Sequence, residues 1–228
     1  MRIAEIFHSI QGEGRLTGTE SVFVRASGCN LRCGYCDTPY ASWMPEGEDL
    51  AVDEIVARVE QFACRHAVVT GGEPMLFAEL LPLCDALRRL GRHITIETAG
   101  TLYLPVACDL MSISPKLSNS TPPPAGDPRW TWRHETNRVA PEVIRRLVAE
   151  YDYQVKFVVS TADDCREVEE YLAAMPEIDR GRTMLMPQGT DAADLAEKAR
   201  WLEPYCAEHR LAFCPRRHIE WFGQGRGR

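Results

Sequence analysis

The run Cys29-Asn30-Leu31-Arg32-Cys33-Gly34-Tyr35-Cys36 sets three thiols at C-x3-C-x2-C spacing. Three thiols on one short segment can reach a single metal centre, and their number limits which centre suits them. A structural zinc ion normally takes four protein ligands. No second Cys or His pair follows closely, although Cys64 or His66 could supply a fourth ligand from the next element. A four-iron cubane held by three thiolates keeps one iron free for an outside ligand, which suits catalysis better than plain electron transfer. On these eight residues both readings stay open.

Four other polar groups are spaced along the chain: Thr70-Gly71-Gly72-Glu73-Pro74, Glu97-Thr98-Ala99-Gly100-Thr101, Ser114-Pro115-Lys116 and Met186-Pro187-Gln188-Gly189. Each follows a segment that reads as a strand, and α/β folds assemble their sites past the C-terminal ends of strands. Alone, Gly71-Gly72 reads as a plain turn; in this company, the paired glycines would let a ligand approach the backbone closely. Lys116 carries more information than an arginine would, because only Lys116, Lys156 and Lys198 are lysines among 26 basic residues.

The elements that must position these groups alternate. Apolar residues Ile55, Val56, Val59 and Phe62 recur at helical spacing after a capping Asp53, and 67–70 reads as a buried strand. Helices are predicted over 78–90, 141–150, 163–175 and 191–209, and strands over 21–27, 93–97, 110–114, 154–159 and 183–186. Such short crossovers imply a parallel sheet. The expected fold is α/β, an incomplete (βα) barrel of about six parallel strands in one domain spanning 1–228. Residues 8–15 read as a loop. Residues 117–137, with Pro122, Pro123, Pro124, Pro128, Trp130 and Trp132, read as a long irregular segment of the kind that forms lids or binding loops.

The chain has 228 residues, 45% apolar and 26% charged, which can build a real core. Its net charge of -7 argues against a nucleic-acid coat, whose affinity comes from excess basic charge. No segment approaches a membrane span or a signal peptide, so no membrane partner and a cytoplasmic setting are expected. Nine cysteines then argue for metal binding or catalysis over disulfides, with Cys64, Cys84, Cys108, Cys165 and Cys206 read as buried apolar residues.

The cysteine triplet followed by Gly71-Gly72-Glu73-Pro74 resembles the radical S-adenosylmethionine (SAM) superfamily. The resemblance implies a [4Fe-4S] cluster on Cys29, Cys33 and Cys36, with SAM on the open iron. It also implies SAM contacts from Tyr35, Cys36, Asp37, Gly71, Gly72, Glu73, Ser114, Pro115, Lys116, Met186, Pro187, Gln188 and Gly189. Within that superfamily, residues 5–14 (Glu-Ile-Phe-His-Ser-Ile-Gln-Gly-Glu-Gly), Arg25, Cys36-Asp37-Thr38, the run from Glu97 to Thr101, and Arg217-His218-Ile219-Glu220-Trp221-Phe222-Gly223 resemble the 7-carboxy-7-deazaguanine synthase family. This resemblance spans almost the whole chain in order.

The implied reaction is a radical ring contraction of 6-carboxy-5,6,7,8-tetrahydropterin to 7-carboxy-7-deazaguanine and ammonia, on the route to queuosine, with SAM regenerated. Implied substrate contacts are Ile10, Gln11, Gly12, Glu13, Arg25, Thr70, Glu97 and His218, and Thr38 is the implied Mg2+ ligand. Implied partners are an external electron donor of flavodoxin or ferredoxin type and a second copy of the chain in a homodimer. The chemistry is consistent: an arginine offers a planar fork to a carboxylate, and magnesium takes oxygen ligands sparingly beside an anionic substrate. Two competing expectations are another small radical SAM enzyme, such as a glycyl-radical-activating enzyme, and a zinc-binding interaction module.

Overall fold

The computed structural model describes every residue except 124–126, 224 and 228. Its strands are β1 (Arg2–Ile10), β2 (Glu20–Ala26), β3 (Glu48–Asp49), β4 (His66–Gly71), β5 (His93–Thr98), β6 (Leu110–Ile113), β7 (Tyr153–Val159), β8 (Thr183–Pro187) and β9 (Ala212–Phe213). Among the described residues they form one sheet in the order β3-β1-β2-β4-β5-β6-β7-β8-β9. From β2 to β9 all neighbours run parallel, whereas β1 and β3 are antiparallel additions at one edge. No pairing closes β9 onto β3, so this is an open barrel, as expected.

Helices α1 (Val52–Glu60), α2 (Leu80–Arg89), α3 (Pro128–Arg138), α4 (Pro141–Glu150), α5 (Ala162–Ala174) and α6 (Ala192–Glu208) lie between strands, and α7 (Arg217–Phe222) follows the last. Alternation along each strand explains the layers. One face of the strands, including Val24, Val69, Ile96, Ile113 and Phe157, is buried against Ile55, Leu83, Leu87, Ile144 and Val168 of the helices. The opposite face carries Arg25, Thr70, Glu97, Ser112 and Lys156, which line an inner cavity. That division keeps apolar burial on the outside of the sheet and leaves the inside for polar side chains.

Three sequence readings need correction. β1 runs to Ile10, so residues 8–10 of the expected 8–15 loop are strand, and the connecting loop begins at Gln11. Residues 117–137 are not irregular throughout: α3 occupies much of the segment, whose Pro124 lies outside the described residues. Proline misled because Pro128 is the first helical residue, where the missing N–H costs nothing, and Asp127 caps the helix by accepting from Arg129 N at 2.9 Å. Finally, α1 is not capped by Asp53; Glu54 reaches back to accept from Ala51 N at 2.7 Å. The other expected helices and strands agree in their limits within about two residues, whereas β1, β3, β9 and α7 were not expected.

Candidate active site

The cysteine loop leaves the C-terminal end of β2 and is held by bonds from both its backbone and neighbouring side chains. Leu31 N donates to Cys29 Sγ at 3.4 Å, and Cys36 Sγ lies 3.0 Å from Ser42 Oγ. Burial pushes the Cys29 thiol up to about 12 and that of Cys33 up to about 11, so these sulfurs keep their protons at neutral pH until a metal displaces them. Among the described residues no three His, Cys, Asp or Glu side chains converge as closely as one ion requires. The zinc alternative also loses its fourth ligand. His66 begins β4 and Cys64 precedes it in the apolar core, both at the far end of the parallel strands from the triplet. A cubane takes each thiolate on a different iron, so three sheltered thiols on one cavity wall fit it.

α3 covers this loop. His134 is fully buried; burial pushes its imidazole down to about 4, so the ring is neutral. Its Nδ1 accepts from Arg32 N at 3.1 Å, which leaves Nε2–H to donate to Ser120 Oγ at 2.9 Å. Ser120 O accepts from Gly34 N at 2.9 Å. The amides on both sides of Cys33 are therefore fixed by His134 and Ser120. The Trp130 ring lies 3.9 Å from the Arg32 guanidinium, so this tryptophan packs on the cysteine loop.

The turn after β4 closes on the same loop. A Cβ on Gly71 would lie 2.1 Å from Ala26 O, and one on Gly72 would lie 2.1 Å from Gly28 O. Glycine is required here by the close approach of two protein backbones, and both glycines also line the cavity, where a ligand could reach them. Glu73 is also not on the cavity wall. It is fully buried and accepts from Met75 N at 3.0 Å, Ala99 N at 2.9 Å and Thr98 Oγ1 at 2.8 Å. Burial raises its carboxyl above the usual range, with these hydrogen bonds and Lys116 opposing. Pro115 is likewise buried away from the wall.

The remaining expected residues all line one cavity of about 580 Å³. Tyr35, Asp37 and Thr38 come from the cysteine loop, with Thr38 Oγ1 3.8 Å from Cys36 Sγ. Ser114 and Lys116 follow β6, Lys116 Nζ donating to Ser114 Oγ at 2.7 Å. Met186, Pro187, Gln188 and Gly189 close the end of β8. Ile10, Gln11, Gly12 and Glu13 enter on the β1–β2 connection. Arg217 N donates to Gly12 O at 3.0 Å, and a Cβ on Gly12 would lie 2.5 Å from His218 N. α7 thus packs directly on that connection.

Arg25 and Thr70 pair in register across β2 and β4. Arg25 Nε donates to Glu5 Oε1 at 2.7 Å, where Tyr40 OH also donates, and its two Nη groups have no hydrogen-bond partner among the described residues. Glu97 accepts from Thr70 Oγ1 at 2.7 Å and from Gln11 Nε2 at 3.2 Å.

Sequence reasoning missed the charges that hold this side together. Lys156, in the middle of β7 and 3% exposed, places Nζ 2.8 Å from Glu13 Oε2 and 3.7 Å from Glu97 Oε1. Arg216 pairs with Glu13 at 3.3 Å, with Asp37, and with Gly189 O. His218 Nδ1 lies 3.8 Å from Glu13. Burial would raise the Glu13 carboxyl, yet Lys156, then Arg216 and His218, hold it well below the usual range. Its carboxylate is engaged by protein, and its backbone N–H donates to Gln11 Oε1 at 3.1 Å. Lys156 was legible as a lone lysine inside the apolar run Tyr-Gln-Val-Lys-Phe-Val-Val; Arg216 was one arginine among many.

Residues 23–117 match the model of the radical SAM superfamily. The chain is 45% identical to 7-carboxy-7-deazaguanine synthase of Rhodopirellula baltica over 99% of its own length and 88% of that protein. It is 42% identical to the enzyme of that name from Halobacterium salinarum, over 95% and 88% of the two chains. In fold it is similar to the crystal structure of QueE from Escherichia coli, with a TM-score of 0.71 at 23% identity, covering 94% of this chain and 92% of that one. Among the described residues no helix is long and apolar enough to cross a membrane.

Proposed function

We infer from the family to which this chain belongs, the 7-carboxy-7-deazaguanine synthases of the radical SAM superfamily, that it is a carbon–nitrogen lyase of queuosine biosynthesis. Its reaction is the contraction of 6-carboxy-5,6,7,8-tetrahydropterin to 7-carboxy-7-deazaguanine with loss of ammonia. The observation that carries this reading is the cavity itself: the thiol triplet, the β8 end and the N-terminal substrate loop, far apart in the chain, share one wall. When bound, a reduced [4Fe-4S] cluster and SAM supply a hydrogen-abstracting radical.

Every other task falls to side chains. Cys29, Cys33 and Cys36 would hold the cluster, and Tyr35, Asp37, Ser114, Lys116 and the 186–189 segment would hold SAM beside the Gly71–Gly72 backbone. Glu73 serves that turn from beneath. Glu97, oriented by Thr70 and Gln11, would accept from the guanidine-like N–H groups of the pterin, while the Nη groups of Arg25 would take its carboxylate. The Gln11–Glu13 backbone and His218 would cover the substrate and exclude water. Thr38 would ligate Mg2+ next to that anionic substrate. The single domain would work as a cytoplasmic homodimer fed electrons by a flavodoxin- or ferredoxin-type donor.

An anaerobic assay with reductant, SAM and the carboxytetrahydropterin, read by mass spectrometry, tests the reaction. Formation of the deazaguanine carboxylate with SAM unconsumed is expected; SAM cleavage without that product overturns the reading. For Thr38→Ala, the magnesium concentration needed for half-maximal activity should rise while SAM affinity holds. An unchanged magnesium dependence removes Thr38 as ligand.

A further inference from the structure

Lys156 is a buried cation that the reaction as outlined does not use. It sits on the inner face of the barrel and lines the cavity, with Glu13 on one side and Glu97 on the other. Their ties differ. Glu13 is also paired with Arg216 and faces His218, whereas Glu97 receives only the neutral donors Thr70 and Gln11 besides this ammonium. Lys156 is thus the sole cation paired with Glu97 among the described residues. Without it, Glu97 would face Glu13 inside the barrel with no compensating charge of its own.

We propose that Lys156 determines specificity as a positioning residue, fixing Glu97 as an acceptor so that the cavity selects pteridines carrying N–H donors on the ring edge over those presenting a carbonyl there. The proposal rests on the reading that Glu97 meets the pterin's guanidine-like edge. A 2-amino group donates to a carboxylate; a 2-oxo group at the same place meets it oxygen to oxygen. A site built around a charged acceptor rejects the mismatched ligand strongly because a buried group is left unpaired.

The test uses the reconstituted enzyme with SAM under anaerobic conditions, and measures equilibrium dissociation constants by fluorescence for 6-carboxypterin and for 6-carboxylumazine, its 2-oxo counterpart. The parent protein should prefer the pterin by roughly 10–150-fold, the worth of one hydrogen bond to a charged group. Lys156→Met should bring the ratio to within about threefold of unity, chiefly by weakening the pterin, and Lys156→Arg should keep most of the preference. SAM affinity should hold in both.

Glu97→Gln separates the proposal from its premise. If that variant keeps the full preference, the reading of Glu97 fails. If it loses the preference while Lys156→Met keeps it, the reading of Glu97 stands and the role of Lys156 is overturned. Should Lys156→Met not fold, the same ratio is measured for it in a Glu13→Gln background, which removes the like charge that would face Glu97. Failure of both variants to fold would make Lys156 a core ion-pair residue and overturn the proposal.

Discussion

Two buried carboxylates, Glu73 behind the turn after β4 and Glu13 on the cavity wall, are held by different physics. Glu73 braces the turn beside the cysteine loop with hydrogen bonds from two backbone amides and one hydroxyl, and burial lifts its carboxyl above the usual range. Glu13 anchors the β1–β2 connection with Lys156, Arg216 and His218 around it, and its carboxyl is held low. On the proposed cofactor side the Glu73 turn is therefore held by hydrogen bonds, with no ion pair to Glu73 among the described residues. The proposed substrate side is held by charge, and charge removed from it cannot be made good by shape.

The largest effect expected on the cofactor side comes from the thiols themselves. Replacing any one of Cys29, Cys33 or Cys36 with Ala should abolish SAM cleavage and lower bound iron and sulfide, with thermal unfolding little changed because the loop packs in a small cluster of its own, apart from the main apolar core. A variant that turns over normally removes that cysteine from the ligand set.

Glu13→Gln is the sharpest challenge to the contrast. It takes from Lys156 and Arg216 the carboxylate they share, leaving them Glu97 and Asp37, and should cost about 3 kcal/mol of stability, read by urea unfolding. The stability Glu13 gives is present above its ordinary value of 4.5 and lost as pH falls below that. The gap between parent and variant should therefore narrow on acidification; a gap independent of pH would break the electrostatic account.

Arg25→Lys keeps the charge but loses the planar fork and its bond to Glu5. We expect a loss of about 1.5–3 kcal/mol, or roughly 10–150-fold in kcat/KM for the carboxylated pterin. SAM affinity should stay put. Equal weakening of pterin and SAM would mean that Arg25 supports the wall rather than reading the carboxylate.

Glu73→Gln should cost least, about 1–3 kcal/mol, because the amide keeps one acceptor for the three donors. Its pH trend runs opposite to that of Glu13. With a folded value raised above 4.5, Glu73 adds stability that is fully present below 4.5 and lost as pH rises through the raised value, so the gap between parent and variant should widen on acidification. The same trend in both glutamates would erase the distinction between the two sides.

How much was legible follows from this distinction. The thiol triplet, the glycine turn and the polar groups after each strand are contiguous runs whose neighbours share one backbone, so their spacing alone brought them to one rim. The alternating helices and strands were legible for the same local reason. Failures came where a residue's task depends on what meets it. Pro128 reads as a breaker until Asp127 caps the turn ahead of it. Glu73 reads as a ligand contact until Thr98 and Ala99 close over it.

By itself, then, the sequence determined the open, mostly parallel α/β barrel and the family, and it singled out the three thiols proposed to hold the cluster. Only the tertiary structure decided which charges face one another inside the barrel. Lys156 and Glu13 are 143 positions apart, and Arg216 and Glu13 are 203 apart. Neither pairing leaves a local signature, because it exists only once the strands have curved far enough to turn their inner faces on a common space. There, with little water to screen them, opposite charges must find each other or not be buried at all.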